Sequence, residues 1–284
     1  MIRVAIVTDS TADLEPRVAA EAKITVIPAS IRLGTGAIRE PSRSYGSAAD
    51  SPATAGPAPT GPEPRMVEAF ARAFERLAAN HDAIVAVLLS RRLGGAVAAA
   101  LVARDQLASP GLVEIVDSRS ASLGLGFQAL RAVELAQLGW DGPAIAAELR
   151  AALDRYHVAF SVESVEHLRQ RGQIGRSAAM IADALQLKPL LRIDEGQIVP
   201  YERARTRARA IARLAEFVCE LPAVERVAAL HASNRDDALV LAGMIATGTG
   251  LSPDRLTVAQ IGSTVAAQVG PGALGVCVVE ADSR

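Results

Sequence analysis

The sequence contains few of the side chains that build disulfide frameworks and metal sites. It has two cysteines, Cys219 and Cys277, and four histidines among 284 residues. The cysteines lie far apart in the chain, and no two histidines have a spacing typical of metal ligands. We therefore expect neither a disulfide nor a metal site, and we predict that both thiols are buried in a reducing cytoplasm.

Aromatic residues, net charge and long apolar runs are also scarce. Aromatic residues make up 3% of the chain and the formal net charge is −1, which argues against a broad electrostatic surface for nucleic acid or anionic lipid. The longest apolar runs, residues 83–89 and 96–103, are much shorter than the roughly 20 residues that span a bilayer. The first residues enter a strand pattern directly, unlike a signal peptide. These features predict a soluble cytoplasmic protein with no integral membrane segment and no nucleic-acid partner.

The common catalytic and nucleotide-binding motifs are either missing from this sequence or stand in the wrong context. There is no G-x-S-x-G elbow, so a hydrolase triad would lack its nucleophile motif. There is no G-x-x-x-x-G-K-[ST] loop, and the one G-x-G-x-x-G match, residues 270–275, enters a predicted strand instead of opening a helix. We expect no cofactor, and an enzymatic role is less favoured than a binding role.

The first half of the chain alternates between strand-like and helix-like segments. Strands are predicted at residues 4–8, 24–33, 83–89 and 113–116, and helices at residues 14–22, 64–79, 96–107, 124–138 and 143–156. Aliphatic strands between amphipathic helices are typical of a parallel sheet covered on both faces. Residues 40–62 lose this pattern, and a connection of that length is usually functional or mobile.

The second half has a different pattern. Two short strands surround an Asp-Glu-Gly turn at residues 194–196, which predicts a hairpin. Further strands are predicted at residues 157–162, 227–231, 256–261 and 274–279, and helices at residues 178–187 and 205–220. A hairpin among helices indicates a mixed sheet and hence a second domain. We predict an N-terminal domain at residues 1–155 and a C-terminal domain at residues 156–284.

Polar clusters follow three of the predicted strands of the first domain. They are residues 8–11 (TDST), 90–95 (SRRLGG) and 117–120 (DSRS), and each precedes a helix. Parallel neighbouring strands would bring all three clusters to one edge, where helix N-termini suit a carboxylate or phosphate. Gly94 and Gly95 would let a ligand approach the backbone closely. Each cluster taken alone is better explained as a helix cap, but the three together favour a ligand-binding edge.

Two features of the second half allow both a structural and a functional interpretation. Residues 270–275 (GPGALG) form a turn that either lines a ligand or only reverses the chain. A basic run comprises Arg203, Arg205, Arg207, Arg209 and Arg213. A solvated helix start is the default interpretation of such a run, and a docking patch for an acidic partner or a nucleotide phosphate is the alternative.

Several of these segments together resemble the DegV family. They are residues 7–14 (VTDSTADL), 116–118 (VDS), 185–191 (LQLKPLL), 196–200 (GQIVP) with Arg203 and Arg205 after it, and 270–275. The resemblance covers nearly the whole chain. It implies a two-domain α/β fold with a parallel N-terminal sheet, a mixed C-terminal sheet, and a long-chain fatty acid held between the domains.

The resemblance also implies a function. The better understood family members are the fatty-acid-binding subunit of a bacterial fatty acid kinase, and they present the carboxylate to a separate kinase subunit that uses ATP. Such a protein is not catalytic alone, which agrees with the missing nucleotide loops. An aliphatic interior can bury the acyl chain at about 0.8 kcal/mol per CH₂, while the carboxylate needs hydrogen-bond donors.

This chain departs from the family pattern at the residues that resemble the family's binding site for the carboxylate head group. The family motif Thr-Ser-Gln-Pro corresponds to residues 54–57 (TAGP) here. The family motif Ser-Ser-x-Leu-Ser-Gly-Thr corresponds to residues 90–96 (SRRLGGA), so Arg91 stands in place of the serine that resembles the carboxylate-binding one. The family's Thr-His-x-Gly-Pro-Gly is residues 267–272 (AQVGPG), with Gln268 in place of histidine, and its Gly-Gly-Arg is residues 171–173 (RGQ). Two hypotheses follow. Arg91 binds an anion directly, or else points to solvent or pairs with Asp9 or Asp117. The loss of histidine removes a titratable group and alters or abolishes coupling to the kinase.

The candidate residues follow from the sheet-edge pattern and the resemblance. For the ligand they are Thr54, Ser90, Arg91, Gly94, Gly95, Ser118, Gln268, Gly270 and Gly272, and for the docking of a fatty acid kinase subunit they are Arg203, Arg205 and Arg207. Two other functions stay open at this point. One is a binder of a different small anion or lipid head group through Arg91, with kinase coupling lost, and the other is a stand-alone phosphotransferase using Asp9 or Asp117.

Overall fold

A computed structural model describes residues 2–29, 31–33, 36–38, 62–170 and 187–282 of the chain. Their contacts group them into two compact units, the first holding most residues up to Asp154 and the second those from Arg155 onward. The segment predicted as a long loop, residues 40–62, and the helix predicted at residues 178–187 lie outside the described residues except for their last positions. Both stay predictions.

The first unit contains a four-stranded sheet with the order β2-β1-β5-β6, and all of its pairs are parallel. Its strands are β1 (Val4–Asp9), β2 (Thr25–Ile27), β5 (Ala83–Leu88) and β6 (Val113–Asp117). Two short strands, β3 (Ile31–Leu33) and β4 (Gly36–Ile38), pair with each other in a separate sheet. The strand predicted over residues 24–33 is thus interrupted, because Pro28 follows β2 and has no N–H to donate to a ladder.

Helices cover this sheet, as the alternating pattern predicted. They are α1 (Pro16–Glu21), α2 (Pro64–Ala78), α3 (Ala96–Asp105), α4 (Leu123–Gln137) and α5 (Gly142–Ala151). All six residues of the central strand β5 are buried, which requires cover on both faces of the sheet. The predicted helix at residues 14–22 begins only at Pro16, since proline is suited to the first helical position.

The second unit contains a six-stranded mixed sheet with the order β11-β10-β12-β7-β8-β9. Its strands are β7 (Tyr156–Ser161), β8 (Lys188–Asp194), β9 (Gln197–Ala204), β10 (Val224–His231), β11 (Leu256–Gln260) and β12 (Leu274–Glu280). Only the β10–β11 pair is parallel in this sheet. The predicted fold class, a parallel sheet followed by a mixed one, is confirmed.

The predicted hairpin is confirmed as β8 and β9. Its two turn residues, Glu195 and Gly196, have φ of 46° and 77°. Two successive positive φ values are typical of a type I′ turn, whose twist matches that of the flanking strands. Glycine supplies this conformation at the second position without a steric penalty.

The helices of the second unit are α6 (Glu166–Gln170), α7 (Arg207–Cys219), α8 (Arg235–Thr249) and α9 (Ser263–Val269). Apolar side chains of α7 and α8 form a core with one face of the sheet, including Leu214, Leu241 and Val276. Cys277 is buried as predicted, whereas Cys219 is exposed, so that part of the prediction was wrong. The reason is its position as the last residue of α7, where the helix leaves the core. No helix in the described part of the chain is long and apolar enough to cross a bilayer.

Candidate functional site

The three polar clusters of the first unit meet at one edge of its sheet. The register pairs Val7 with Ala86 and Leu88 with Asp117, so β1, β5 and β6 end side by side. Hydrogen bonds join the loops that follow, including Ser90 N–H to the carbonyl oxygen of Ser120 at 3.0 Å. The predicted convergence of these clusters is confirmed.

Asp9 connects the first of these loops to the second. Its side chain is fully buried and accepts hydrogen bonds from Leu89 N–H at 2.8 Å, Thr11 N–H at 3.0 Å and the Thr11 hydroxyl at 2.5 Å. Burial raises the pKa of this carboxyl, and the three hydrogen bonds oppose that rise. The carboxylate therefore holds backbone in place at the edge.

Asp117 holds the second and third loops together through Arg91. Arg91 Nε donates to Asp117 Oδ2 at 2.6 Å, and the other oxygen accepts from Arg91 N–H at 3.3 Å and Arg119 N–H at 3.1 Å. The interpretation in which Arg91 pairs with Asp117 is thus the one the structure shows. The Arg91 side chain is 69% exposed, and its two terminal nitrogens have no partner among the described residues. Asp117 fixes the direction of the guanidinium while those two nitrogens stay open to an anion.

The two predicted serines at this edge are buried, and their hydroxyls bond to nearby backbone. Ser90 Oγ accepts from Arg92 N–H at 3.3 Å. Ser118 Oγ accepts from Ser120 N–H at 3.1 Å and donates to the Ser120 carbonyl at 3.2 Å. These contacts agree with the interpretation of each cluster alone, in which its side chains bond to local backbone at a helix start.

The start of α3 offers backbone donors at the same edge. No side chain caps this helix at Gly95, so its first N–H groups keep their partial positive charge. A Cβ on Gly94 would lie 2.6 Å from Leu89 Cδ2, whereas one on Gly95 would meet nothing within 4 Å. Gly94 is therefore required by packing, and Gly95 leaves open space beside the helix start.

Among the buried polar groups of this unit, sequence reasoning missed Gln128, whereas Thr8 and Ser120 belong to the predicted clusters at residues 8–11 and 117–120. Thr8 Oγ1, Ser120 Oγ and Gln128 Oε1 have no hydrogen-bond partner among the described residues. The other end of the Gln128 amide donates to the carbonyls of Ser118 and Gly124 at 3.0 and 3.2 Å. A glutamine within the apolar stretch of α4 was the available signal, because a buried amide needs partners.

The glycine turn of the second unit directly follows α9. Gly270 has φ 87° and ψ 168°, a conformation almost restricted to glycine. Gln268 lies on α9 and is partly buried. Gly272 is held against Glu163, since a Cβ there would overlap the Glu163 side chain. Gly270 is therefore required by its backbone conformation, and Gly272 by its packing against Glu163.

The predicted docking arginines occupy different surroundings. Arg203 is the second-last residue of β9, Arg205 directly follows the strand, and both are exposed. Arg207 begins α7 and is turned inward, where it donates to Asp237 at 2.8 Å and to the Gly272 carbonyl at 2.7 Å. Nearby, His231 ends β10 with only 7% exposure, and its Nδ1 has no partner in the described chain. Burial, then the charge of Arg235, lowers the pKa of His231.

Thr54, the remaining predicted ligand residue, lies outside the described residues. Within the described ranges no three or more His, Cys, Asp or Glu side chains are grouped as metal ligands.

Known proteins resemble this chain along its whole length. The model of the family described as "Uncharacterised protein, DegV family" matches residues 3–281. A DegV domain-containing protein of Streptomyces coelicolor is 38% identical, and the match covers 97% of this chain and 98% of that protein. Protein DegV of Bacillus subtilis is 30% identical, and the match covers 97% of this chain and 99% of that protein. A solved Thermus thermophilus structure, described as fatty acid binding of a DegV family protein, is 28% identical with a TM-score of 0.83, over 99% of this chain and 100% of its own. The chain therefore belongs to the DegV family.

Proposed function

We propose that this protein binds a long-chain fatty acid and presents its carboxylate to a separate kinase subunit, without catalysing a reaction alone. The observation that carries the proposal is the full-length likeness to the Thermus thermophilus protein described as binding fatty acid. The acyl chain would supply most of the affinity, at about 0.8 kcal/mol for each buried CH₂. The carboxylate would require donors, because an unpaired buried charge is strongly unfavourable.

In this proposal the edge of the first sheet supplies donors to the head group. Arg91 is the main candidate, because its pairing with Asp117 leaves two terminal nitrogens open. The uncapped start of α3 after Gly95 adds backbone N–H groups, whereas the Gly94 N–H already donates to the Ser90 carbonyl at 3.1 Å. Ser90 and Ser118 would shape this edge through the backbone they bond.

The remaining proposed ligand residues are Thr54, Gln268, Gly270 and Gly272. Gln268 stands where the family pattern has histidine, so a titratable group is replaced by a neutral amide. We propose that this replacement changes the coupling to the kinase while lipid binding is kept. Arg203 and Arg205, two exposed members of the basic run, are the proposed docking residues for a kinase subunit in the cytoplasm.

Lipid extraction of the purified protein followed by mass spectrometry tests the proposal. We expect a fatty acid of 16 to 18 carbons, the usual bacterial range, at about one per chain, a size that suits pockets of roughly 300–1,000 Å³. A lipid-free protein that instead carries phosphate or another small anion would favour the second function. Turnover of ATP without a partner subunit would favour the stand-alone phosphotransferase.

Presentation to a kinase needs its own test. A bacterial fatty acid kinase subunit, ATP and the lipid-loaded protein are mixed, and acyl-phosphate formation is followed. We expect a rate that changes when Gln268 is replaced by histidine, because that substitution restores the titratable group of the family pattern. Equal rates for the two proteins at every pH would contradict the proposed role of position 268.

A further inference from the structure

The carbonyl groups of the glycine turn are all occupied by the protein itself. The carbonyls of Gly270 and Ala273 accept from the backbone N–H groups of Ala273 and Ala232 at 3.3 and 3.0 Å. The Pro271 carbonyl accepts from the Ser233 hydroxyl at 2.6 Å, and the Gly272 carbonyl from Arg207 Nη1 at 2.7 Å. By contrast, the Gly272 N–H has no acceptor among the described residues. The acceptors of the turn are engaged, and one donor is left open.

Arg207 is fixed in this position by two acidic residues. Its Nε donates to Asp237 Oδ2 at 2.8 Å, and its Nη1 lies 3.7 Å from Glu163 Oε1. Asp237 also accepts from Asn234 Nδ2 at 2.8 Å, and Glu163 pairs with Lys188. The Arg207 side chain is 24% exposed. Its guanidinium is thereby committed to the turn and to α8.

This arrangement matters for an anionic ligand. A carboxylate is bound by N–H groups and repelled by carbonyl oxygens. A turn whose carbonyls rotated toward the ligand would oppose binding, and glycine backbone permits such rotation more readily than other residues do. Arg207 and Ser233 each hold one of these carbonyls through a side chain.

We propose that Arg207 and Ser233 are positioning residues that set the Gly270–Gly272 turn so that the Gly272 N–H can donate to the fatty acid carboxylate. The inference rests on the proposed function, and it removes Arg207 from the docking surface. On this inference the two side chains increase the affinity for the carboxylate and leave the affinity for the acyl chain unchanged.

Calorimetric titration of the delipidated full-length protein with oleate and with oleyl alcohol tests this inference. The two probes share the hydrocarbon chain and differ in the carboxylate. For Arg207→Gln we expect roughly tenfold weaker binding of oleate and unchanged binding of oleyl alcohol. Ser233→Ala, which removes one exposed hydroxyl, is expected to act in the same direction by roughly threefold. Arg192→Gln is the matched control, because Arg192 is an exposed arginine of the same unit whose side chain pairs with the nearby Asp194.

The outcomes separate this inference from the proposed function. Equal losses for oleate and oleyl alcohol would show a merely structural role and overturn it. Unchanged oleate affinity in both variants with lost kinase coupling in Arg207→Gln would restore Arg207 to the docking surface. A wild-type protein that binds neither probe would overturn the proposed function and this inference with it. If Arg207→Gln does not fold, Ser233→Ala decides alone, with equal oleate affinity as the contradicting result.

Discussion

The two sheets of this protein control the backbone at their loop edges with opposite chemistry. At the edge of the parallel sheet, the carboxylates of Asp9 and Asp117 accept hydrogen bonds from backbone N–H groups. At the edge of the mixed sheet, the donors of Arg207, Ser233 and Gln260 bond to backbone carbonyls. The two aspartates therefore occupy N–H donors at the first edge, and the three donor side chains occupy carbonyl acceptors at the second.

This difference determines which hydrogen-bond donors remain at each edge. In the first unit the donors that remain are the terminal nitrogens of Arg91 and the uncapped start of α3. In the glycine turn of the second unit, the Gly272 N–H has no hydrogen-bond acceptor among the described residues. A buried carboxylate such as Asp9 serves the fold at the first edge, because it accepts three hydrogen bonds there, which offset the desolvation of its charge only in part, so the pKa of the carboxyl stays raised.

The largest effect is expected at Asp9, where the first edge depends on a buried acceptor. Asp9→Ala should lower the free energy of unfolding by about 3 kcal/mol, since buried backbone donors lose their partner. Urea denaturation followed by circular dichroism measures the loss. Asp9→Asn keeps one acceptor oxygen and should lose roughly half as much. A loss below about 0.5 kcal/mol for Asp9→Ala would show that the edge does not need this carboxylate.

A smaller, pH-dependent effect is expected at His231 of the second edge. The lowered pKa means that the unfolded chain, with a pKa near 6.5, binds the proton more tightly than the folded protein. Stability should therefore be lost as the pH falls below that value, because protonation then favours the unfolded chain. Denaturation of wild type and His231→Gln on both sides of pH 6.5 measures the difference. Parallel pH profiles for the two proteins would exclude His231 as the source.

The smallest effect on stability is expected for Arg91→Ala. The ion pair with Asp117 is mostly solvent-exposed on the arginine side, so the loss should stay within about 1 kcal/mol. Oleate affinity should nevertheless fall roughly tenfold, while oleyl alcohol affinity stays constant. Unchanged oleate affinity would mean that Arg91 serves only to hold Asp117, and the two edges would then differ in function as well as in chemistry.

Local patterns predicted much of this fold, and distant contacts did not follow from them. The sequence predicted the features that depend on neighbouring residues. They are the polar segments after the strands, at residues 8–11, 90–95 and 117–120, and the Glu195-Gly196 turn. Helix α8 was missed, since Gly243 and Gly248 weaken its helical pattern and Leu239, Val240 and Met244 place apolar side chains on its exposed face. The order of the mixed sheet depends on pairings between strands far apart in sequence.

The candidate site shows the same limit. Spacing predicted that polar clusters converge, but it left open whether Arg91 binds an anion or pairs with an aspartate. The role of Arg207 was not accessible, because its partners Asp237 and Gly272 lie 30 and 65 residues away in the chain. A basic run looks uniform in sequence, whereas in the structure Arg207 is turned inward and Arg203 and Arg205 are exposed.

Titration of the delipidated wild-type protein with oleate in a calorimeter tests the central claim most directly. The account predicts saturable binding near one oleate per chain, with a negative heat-capacity change from burial of the acyl chain. It also predicts weaker binding of oleyl alcohol, which has the same chain without the carboxylate. Absence of saturable oleate binding, or equal affinity for the acid and the alcohol, would contradict a site built to hold a fatty acid by its head group.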